Sequence, residues 1–453
     1  MTLIRRVANT AAVAVLAHVE RGVPYRSAER IGEGQRRRIR AIVAHAFATV
    51  PFYAQTMRER RLAPHDIRRA EDLSELPLID ASIVRADERQ FISSHIPPER
   101  RRALHTSGSH GGHRGLVWWD ERSLLHKLAY LERDRAVIGT LIGRTFGHRQ
   151  LYVLPAAAQG FLLREWWNEW TIAPRGIATR AVEPPETPYE RIAERIRAER
   201  PDVVYSYGSF GEHFARWLAA RDERLDAPRV CCYGGDGMTA PGRALLEERT
   251  GTMVYSTYQA TETGRIGFEC ERRDGWHLNV DLCAVRIVDA DGAPVPAGRE
   301  GEVVVSNLHN RATVLLNYRL GDRALMATEP PCTCGRGLPV MRELRGRRTE
   351  VVRLADGREI SGLVLEAECM HAFEGATLRS QLVAEGPGRV RWRVVLAPNT
   401  DVDALAPRVN DAIRAAFGDA LRATIEPVDE IPLTAQGKLL RVVPADGPTA
   451  VSR

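Results

Sequence analysis

The chain has 453 residues, of which 44% are hydrophobic and 27% are charged, so its composition is that of a globular protein and excludes a chain disordered throughout. The 64 basic and 58 acidic residues leave a net charge of +6 and are spread along the sequence. This excludes nucleic acid as an expected partner, because such binding needs a clustered basic patch and a readout motif. The length exceeds what one hydrophobic core usually serves, so two or more domains are expected.

The cysteines and apolar stretches predict a cytoplasmic protein. Seven cysteines are an odd number, and their spacing is not that of a disulfide framework, which indicates a reducing compartment. Residues 9–17 are small and apolar but too short to span a bilayer, and no convincing signal-peptide cleavage site follows them. We therefore expect no membrane partner.

Strand and helix patterns alternate between residues 120 and 260, which is typical of an α/β domain with parallel strands. The clearest unit runs from residue 230 to residue 258 and contains a strand, the turn GGDG at 234–237, a helix and a second strand. Ligands of such folds bind at the carboxyl ends of the strands. Gly235 and Asp236 lie at such an end and are candidate nucleotide-binding residues.

Residues 106–115 (TSGSHGGHRG) are a run of hydroxyls and glycines that could hold phosphate. Glycines let the backbone bend closely around an anion, and hydroxyls donate to phosphate oxygens. Taken alone, such a run is more often a surface loop, and no Gly-Lys-Ser/Thr follows as in a Walker-type loop. As a phosphate cradle, its candidate ligands are Thr106, Ser107, Gly108, Ser109 and Gly111.

Four further stretches follow in order: YQATE at 258–262, YRLGD at 318–322, GR at 346–347 and PLTAQGK at 432–438. Together with the glycine-rich loop, they resemble the ordered motifs of the adenylate-forming ligases, which include acyl-CoA synthetases, adenylation domains and luciferases. The phenylacetate-CoA ligase branch is the most similar, and VPFY at residues 50–53 resembles the opening of its members.

The side chains at residues 258–262 suit a nucleotide. An aromatic ring can stack on adenine, a threonine hydroxyl can bond to an α-phosphate oxygen, and a glutamate can hold Mg²⁺. By spacing alone, Tyr-x-x-Thr-Glu would more often be a strand end with a helix cap. The resemblance implies Tyr258 for adenine, Thr261 for the α-phosphate and Glu262 for magnesium.

Three later residues take their expected roles from the same resemblance. It implies that Asp322 binds the ribose, that Arg347 is a partner at the nucleotide and that Lys438 is the catalytic lysine of adenylation. Lysine occurs only at positions 127 and 438, and every other basic residue is arginine. An ammonium is a compact point charge, so Lys438 can approach a phosphate or carboxylate oxygen in ways that a planar guanidinium cannot.

The chain departs from the family pattern at several positions. Relatives have threonine where His110 stands, proline and lysine where His113 and Arg114 stand, threonine or serine where Leu320 stands, and the hinge aspartate where Thr349 stands. We therefore expect phosphate handling by the loop, and the timing of the second half-reaction, to differ in detail.

Cys270, His277, Cys332 and Cys334 form a second candidate site. CTCG at residues 332–335 is a tight turn with two thiols, and Cys270 and His277 could complete a tetrahedral Cys3His set. By spacing alone, buried unmetallated thiols are about as expected as a metal site. Similar segments occur in several phenylacetate-CoA-ligase-like proteins, and this resemblance implies a structural Zn²⁺ that is not the catalyst.

The predicted fold class is α/β. Residues 1–345 are expected to form a large multi-layer N-terminal domain with mixed and parallel sheets, which binds ATP and the acid. Residues 346–453 are expected to form a small, mobile α+β domain that carries Lys438.

The resemblance implies an enzyme that uses ATP and Mg²⁺ to convert a carboxylic acid, expected to be aromatic, into an acyl-adenylate with release of pyrophosphate. The acyl group then passes to the thiol of CoA, and the enzyme is expected to be a homodimer. One alternative is transfer to an amine or to a carrier-protein thiol. Another is a nucleotide-binding protein without turnover.

Overall fold

The structure, a computed structural model, describes residues 1–106, 115–145, 147–154, 158–172, 179–182, 187–328, 332–373, 375–434 and 438–445. The chain divides into two compact units. The first comprises residues 1–145, 159–175 and 256–344, and the second comprises residues 146–158, 176–255 and 345–453. A separate, mobile C-terminal domain stays a prediction, since residues 345–453 share a unit with residues that precede them.

Helices and strands alternate through much of the chain. The helices are α1 (Leu3–Gly22), α2 (Ala28–Thr49), α3 (Pro51–Glu59), α4 (Ala81–Ala86), α5 (Glu121–Tyr130), α6 (Glu132–Ile142), α7 (Gln159–Trp170), α8 (Tyr189–Glu199), α9 (Gly208–Ala220), α10 (Ala240–Thr250), α11 (Gly362–Cys369) and α12 (Val402–Phe417). Across the ranges that the structure describes, no helix has both the length and the apolarity that a membrane span requires.

The strands are shorter on average than the helices. They are β1 (Arg101–His105), β2 (Leu116–Asp120), β3 (Gln150–Val153), β4 (Thr179–Val182), β5 (Val203–Ser206), β6 (Val230–Gly234), β7 (Met253–Ala260), β8 (Gly264–Glu269), β9 (Trp276–Leu278), β10 (Cys283–Val288), β11 (Gly301–Asn307), β12 (Tyr318–Met326), β13 (Val340–Arg347), β14 (Val351–Arg353), β15 (Glu359–Ser361), β16 (Thr377–Gly386), β17 (Arg389–Leu396), β18 (Arg422–Pro427) and β19 (Val442–Pro444). The α/β fold class is therefore confirmed.

Local chemistry explains where helix α10 begins and ends. The Thr239 hydroxyl accepts a hydrogen bond from the backbone N–H of Gly242 at 3.0 Å, which satisfies one of the free donors of the first turn. Pro241 lies in that turn, where its missing N–H costs nothing. At the other end Gly251 adopts φ +59°, a left-handed conformation that glycine enters without a Cβ clash.

The first unit contains a run of strands in the order β10-β11-β12-β13-β9-β8, followed by most of β7. Strands β10 and β11 form an antiparallel pair, as do β8 and β9. Helices α2 and α3 cover this sheet with apolar side chains such as Ile42, Val43 and Met57, which pack with Ile266 and Val305 in one core. This core supports the turn between β7 and β8.

The second unit contains four parallel strands and a separate four-stranded sheet. Strands β6, β5, β3 and β4 are neighbours in that order, and their pairings are parallel. The other sheet has the order β18-β17-β16-β19, and helices α11 and α12 share its apolar core with Leu382 and Trp392. Parallel strands joined by helices place strand ends and helix starts at one edge, where binding sites of such folds form.

A buried ion network joins elements of the first unit. Arg133 of α6 is 1% exposed and donates to Glu20 of α1 at 2.8 Å and to both carboxylate oxygens of Asp281 at 2.7 and 2.9 Å. Arg38 of α2 donates to Asp281 at 3.2 Å, and the His126 imidazole lies 2.7 Å from Glu20. Burial by itself raises the pKa of Glu20, but His126 and Arg133 outweigh it and lower that pKa from 4.5 to about 2.

This network predicts a pH-dependent stability. The folded-state pKa of Glu20 is depressed, so its contribution is present above pH 4.5 and is lost as the pH falls towards 2. A shift of this size corresponds to roughly 3 kcal/mol. We expect the free energy of unfolding of Glu20→Gln, measured by urea denaturation, to fall less than that of the wild type between pH 6 and pH 2.5. The control is Glu33→Gln at an exposed position, and its free energy of unfolding should change with pH as that of the wild type does. The same pH dependence in Glu20→Gln and Glu33→Gln would contradict the prediction.

Candidate active site

The turn between β7 and β8 and the strand β12 bring three predicted site residues into a group of two hydrogen-bonded pairs, together with a tyrosine that was not assigned a role. The Tyr258 hydroxyl donates to Asp322 Oδ2 at 2.8 Å, and the Tyr318 hydroxyl donates to Glu262 Oε1 at 3.3 Å. Burial, followed by the nearby Glu262 charge, raises the pKa of Tyr318 well above its usual range, so this phenol stays a donor. The group therefore holds two carboxylates at defined positions.

The backbone of this turn is also anchored. The Asn307 side-chain amide donates to the Glu262 carbonyl oxygen at 2.8 Å. The Thr261 hydroxyl lies 3.5 Å from the carbonyl oxygen of His105, at the end of β1. Asn307 was not singled out from the sequence, and Tyr318 belonged to the motif at residues 318–322 but was given no role. For Tyr318 a signal exists, because alternation along a strand places residues 318 and 322 on one face; for Asn307 no local signal exists.

Thr106 lies at the base of the glycine-rich loop. Its backbone N–H donates to the Gly115 carbonyl at 2.9 Å, and its hydroxyl lies 3.3 Å from the same oxygen. A Cβ at Gly115 would approach the Thr106 hydroxyl to 3.1 Å, so the two ends of the loop are closely packed. The other predicted phosphate ligands, Ser107, Gly108, Ser109 and Gly111, lie outside the described residues.

The second unit brings Lys438 to the turn that follows β6. The Lys438 ammonium donates to the Gly235 carbonyl oxygen at 2.6 Å and lies 5.4 Å from the centre of the Tyr207 ring. Gly235 adopts φ +91°, and a Cβ there would lie 2.9 Å from Tyr207 Cε1. Only glycine therefore fits this close approach.

Asp236 has a structural partner that the sequence did not predict. Its carboxylate accepts hydrogen bonds from the backbone N–H groups of Gly208 and Ser209, at 2.6 and 3.2 Å, and from the Ser209 hydroxyl. These groups form the amino end of α9, where a negative charge is favoured by the helix dipole. Asp236 thus joins the β6 turn to helix α9, and its predicted role in nucleotide binding stays a prediction.

Arg347, the other predicted nucleotide contact, is the last residue of β13 and directly follows Gly346, which adopts φ +92°.

The predicted Cys3His set is brought together in the first unit. The ligand atoms of Cys270, His277, Cys332 and Cys334 all lie within 4.8 Å of one another. The two thiols of Cys270 and Cys332 are 3.7 Å apart, and Cys334 Sγ is 3.4 Å from His277 Nε2. Tetrahedral zinc with bonds of about 2.0–2.3 Å separates its ligand atoms by similar distances.

The protonation states of His277 and Cys334 suit a metal ion, whereas burial raises the pKa of the Cys270 thiol. Burial, followed by the charge of Arg336, lowers the pKa of His277 to about 4, so the imidazole is neutral and its nitrogen can bind a metal. Burial opposes ionisation of Cys334, but hydrogen bonds from Arg336 outweigh it and lower the pKa of this thiol. Thiolates and a neutral imidazole are the forms in which these side chains bind zinc.

Comparisons with known proteins agree with the ordered motifs. The model of the AMP-binding enzyme family matches residues 33–311. The phenylacetate-coenzyme A ligase of Thermus thermophilus is 25% identical over 442 residues, which cover 92% of this chain and 96% of that protein. The Escherichia coli enzyme of the same name is 23% identical and covers 64% of this chain and 65% of its own length.

Solved structures share the fold at low sequence identity. A 2-hydroxyisobutyryl-CoA ligase in the postadenylation state, in complex with R3-HIB-AMP, aligns with a TM-score of 0.73 and 17% identity, over 94% of this chain and 92% of its own. The amide bond synthetase McbA from Marinactinospora thermotolerans aligns with a TM-score of 0.51 and 18% identity, over 75% and 68% of the two chains.

Proposed function

The chain belongs to the AMP-binding enzyme family, and from this premise we propose that it uses ATP to join a carboxylic acid, preferably an aromatic one, to the thiol of CoA through an acyl-adenylate. The observation that carries the proposal is the group of two hydrogen-bonded pairs at the β7 turn, in which Tyr258 donates to Asp322 and Tyr318 donates to Glu262. An adenosine nucleotide needs one carboxylate for its ribose hydroxyls and another for its metal ion, and this group presents both.

In the first step, a carboxylate oxygen of the acid attacks the α-phosphorus of ATP, and pyrophosphate leaves with the electrons of the broken P–O bond. Glu262 would hold Mg²⁺, which supplies positive charge at the phosphates. Thr261, Thr106 and the loop that Thr106 begins would donate to phosphate oxygens, and the Lys438 ammonium would stabilise the charge that develops during transfer. Tyr258 would stack on adenine, with Gly235, Asp236 and Arg347 as further nucleotide contacts.

In the second step, the CoA sulfur attacks the acyl carbon, its proton is released, and AMP leaves. Transfer to an amine is the second candidate. Thr349, which stands where the relatives have their hinge aspartate, leaves this candidate open, and an amide bond synthetase shares the fold. Transfer to a carrier-protein thiol would follow the same chemistry. Location in the cytoplasm and assembly as a homodimer stay predictions.

The proposal is tested by measuring pyrophosphate release from ATP over a panel of aryl and alkyl carboxylic acids, with CoA, with amines or with neither. We expect release that depends on particular acids, and a CoA thioester as the product. Release that is stimulated by an amine and yields an amide would select the second candidate. Silence with every acid, while ATP still binds, would refute the ligase and leave a nucleotide-binding protein.

We also propose that Cys270, His277, Cys332 and Cys334 hold a structural Zn²⁺, supported by the short distances between their ligand atoms. Cys270 directly follows β8, His277 lies in β9, and Cys332 and Cys334 precede β13, so the metal would fasten that part of the first unit. We expect about one zinc per chain by elemental analysis, and at least a tenfold weaker zinc affinity in Cys334→Ser, because a thiolate ligand is lost.

The control for this prediction is Cys369→Ser, since Cys369 is buried elsewhere and is not part of the set. It should keep the wild-type zinc content. Zinc contents that are equally low in the wild type and in Cys334→Ser, after purification without chelators, would contradict the zinc site and leave the adenylation proposal untouched.

A further inference from the structure

We infer that Arg441 is a positioning residue for Lys438, and that it acts by holding the carbonyl side of the turn that the Lys438 ammonium contacts. The inference rests on the proposed function in one respect, namely that Lys438 serves the adenylation step. Its structural part concerns the contacts of two side chains from one short segment, and it can be tested without any substrate.

Arg441 is buried and binds three acceptors at once. It is 7% exposed, and its Nη2 donates to the Gly237 carbonyl oxygen at 2.8 Å and lies 3.5 Å from Glu212 Oε2. Its Nη1 donates to the Glu366 carboxylate of helix α11. A planar guanidinium can serve several acceptors in fixed directions, whereas a lysine at this position could not span the set.

The two carboxylates that face Arg441 are themselves held. Glu366 Oε1 accepts from the Ser380 hydroxyl at 3.0 Å. Glu212 accepts from the backbone N–H and the hydroxyl of Thr239, both at 3.1 Å, and pairs with Arg216 at 2.7 Å. Because all of these groups are buried and have partners, the Arg441 guanidinium has one defined position.

Lys438 and Arg441 are three residues apart in sequence, and both donate hydrogen bonds to the same turn, residues 235–237. The Lys438 ammonium donates to the Gly235 carbonyl, and the Arg441 guanidinium donates to the Gly237 carbonyl, two residues further along the chain. The side chain of Leu363, also from α11, would lie 3.1 Å from a Cβ at Gly237 and so closes the turn from a third side. Without the Arg441 contact, the turn would be less restrained at Gly237, and the Gly235 carbonyl that accepts from Lys438 would be less restrained as well.

The backbone around Arg441 is fixed as well, so the segment cannot follow a displaced turn. The Arg441 N–H donates to Glu350 Oε2 at 2.8 Å, and the Arg441 carbonyl accepts from the backbone N–H of Leu382 at 2.8 Å. A shift of the turn would therefore change the distance between Lys438 and its site, and misplacement of a catalytic group by about 1 Å can cost a hundredfold in rate.

The first experiment uses the scarcity of lysine. An amine-acylating reagent can modify only Lys127, Lys438 and the N-terminal amine, so mass spectrometry can follow Lys438 against the N-terminus. We expect Lys438 to be labelled about fivefold faster in Arg441→Met and in Glu366→Gln than in the wild type, the factor that corresponds to one lost hydrogen bond. The control is Arg408→Met, because Arg408 is exposed on α12 and this change adds no lysine that the reagent could modify.

The second experiment separates the two half-reactions. We expect Glu366→Gln to slow pyrophosphate formation about ten- to a hundredfold, and to leave thioester formation from a supplied acyl-adenylate and CoA within about twofold of the wild type. If Arg441→Met fails to fold, Glu366→Gln, which keeps a hydrogen-bonding side chain beside Ser380, decides the matter alone.

Unchanged labelling of Lys438 in a folded variant, or an equal fall in both half-reactions, would overturn the inference, because a merely structural role would affect both steps alike. If the wild-type enzyme releases no pyrophosphate with any acid of the panel, the proposed function is refuted instead. In that case the labelling experiment alone decides whether Arg441 positions Lys438.

Discussion

Lys438→Ala is expected to form pyrophosphate about 10²–10³ times more slowly than the wild type, the usual effect of removing one preorganised group that stabilises developing charge. The ammonium already has a defined position, 2.6 Å from the Gly235 carbonyl and beside the Tyr207 ring, so the wild type needs little reorganisation before reaction. The measurement is the initial rate of acid-dependent pyrophosphate release at saturating ATP.

Two companion variants sharpen this result. Lys438→Arg keeps the charge, but its planar fork cannot reproduce the position of a compact ammonium, so it should recover only a small part of the rate. Arg408→Ala removes an exposed charge from α12 and should keep the wild-type rate. A loss of less than tenfold in Lys438→Ala, or an equal loss in thioester formation from a supplied acyl-adenylate, would contradict the proposed role.

Arg133→Met is expected to lower the free energy of unfolding of the protein by about 3–5 kcal/mol, because it removes the buried cation that bonds to both Glu20 and Asp281. The Arg133 side chain is fully buried and makes bonds to Glu20, Asp281 and Asn279 that together join α1, α6 and the segment before β10. The measurement is the urea midpoint, together with hydrogen exchange of the α1 and α6 amides.

The matched control is Arg135→Met, two residues away on the same helix. Arg135 pairs with Glu132 at 2.8 Å, but 47% of its side chain is exposed, and exposed pairs contribute about 0–1 kcal/mol. Replacing Glu20, Arg133 and Asp281 together by apolar residues should recover only part of the loss, since Arg38 then lacks its acceptor Asp281. A change below about 1 kcal/mol in Arg133→Met would contradict a structural role for the network.

The fold class and the strand and helix order were predictable because their signals are local. The helix caps at Thr239 and Gly251 and the turn at residues 386–388 between β16 and β17 follow from residues that are neighbours in sequence. The α/β class and the family were confirmed. The roles of Tyr258, Glu262, Asp322 and Lys438 rested on motif order, and they stay proposals that the contacts of these residues support.

The sequence by itself determined the α/β class, the strand-helix-strand unit at residues 230–258, the order of the motifs and the family, since each depends on short-range patterns. Only the tertiary structure decided the partners of buried polar groups. Arg133 meets Asp281 across 148 residues, and Arg441 meets Gly237 across 204. The Asp236 carboxylate accepts a hydrogen bond from the first residue of α9, although its position in the sequence suggested that it binds a nucleotide. Such pairings depend on which elements pack against each other and bury their polar groups, and a local sequence pattern does not contain that information.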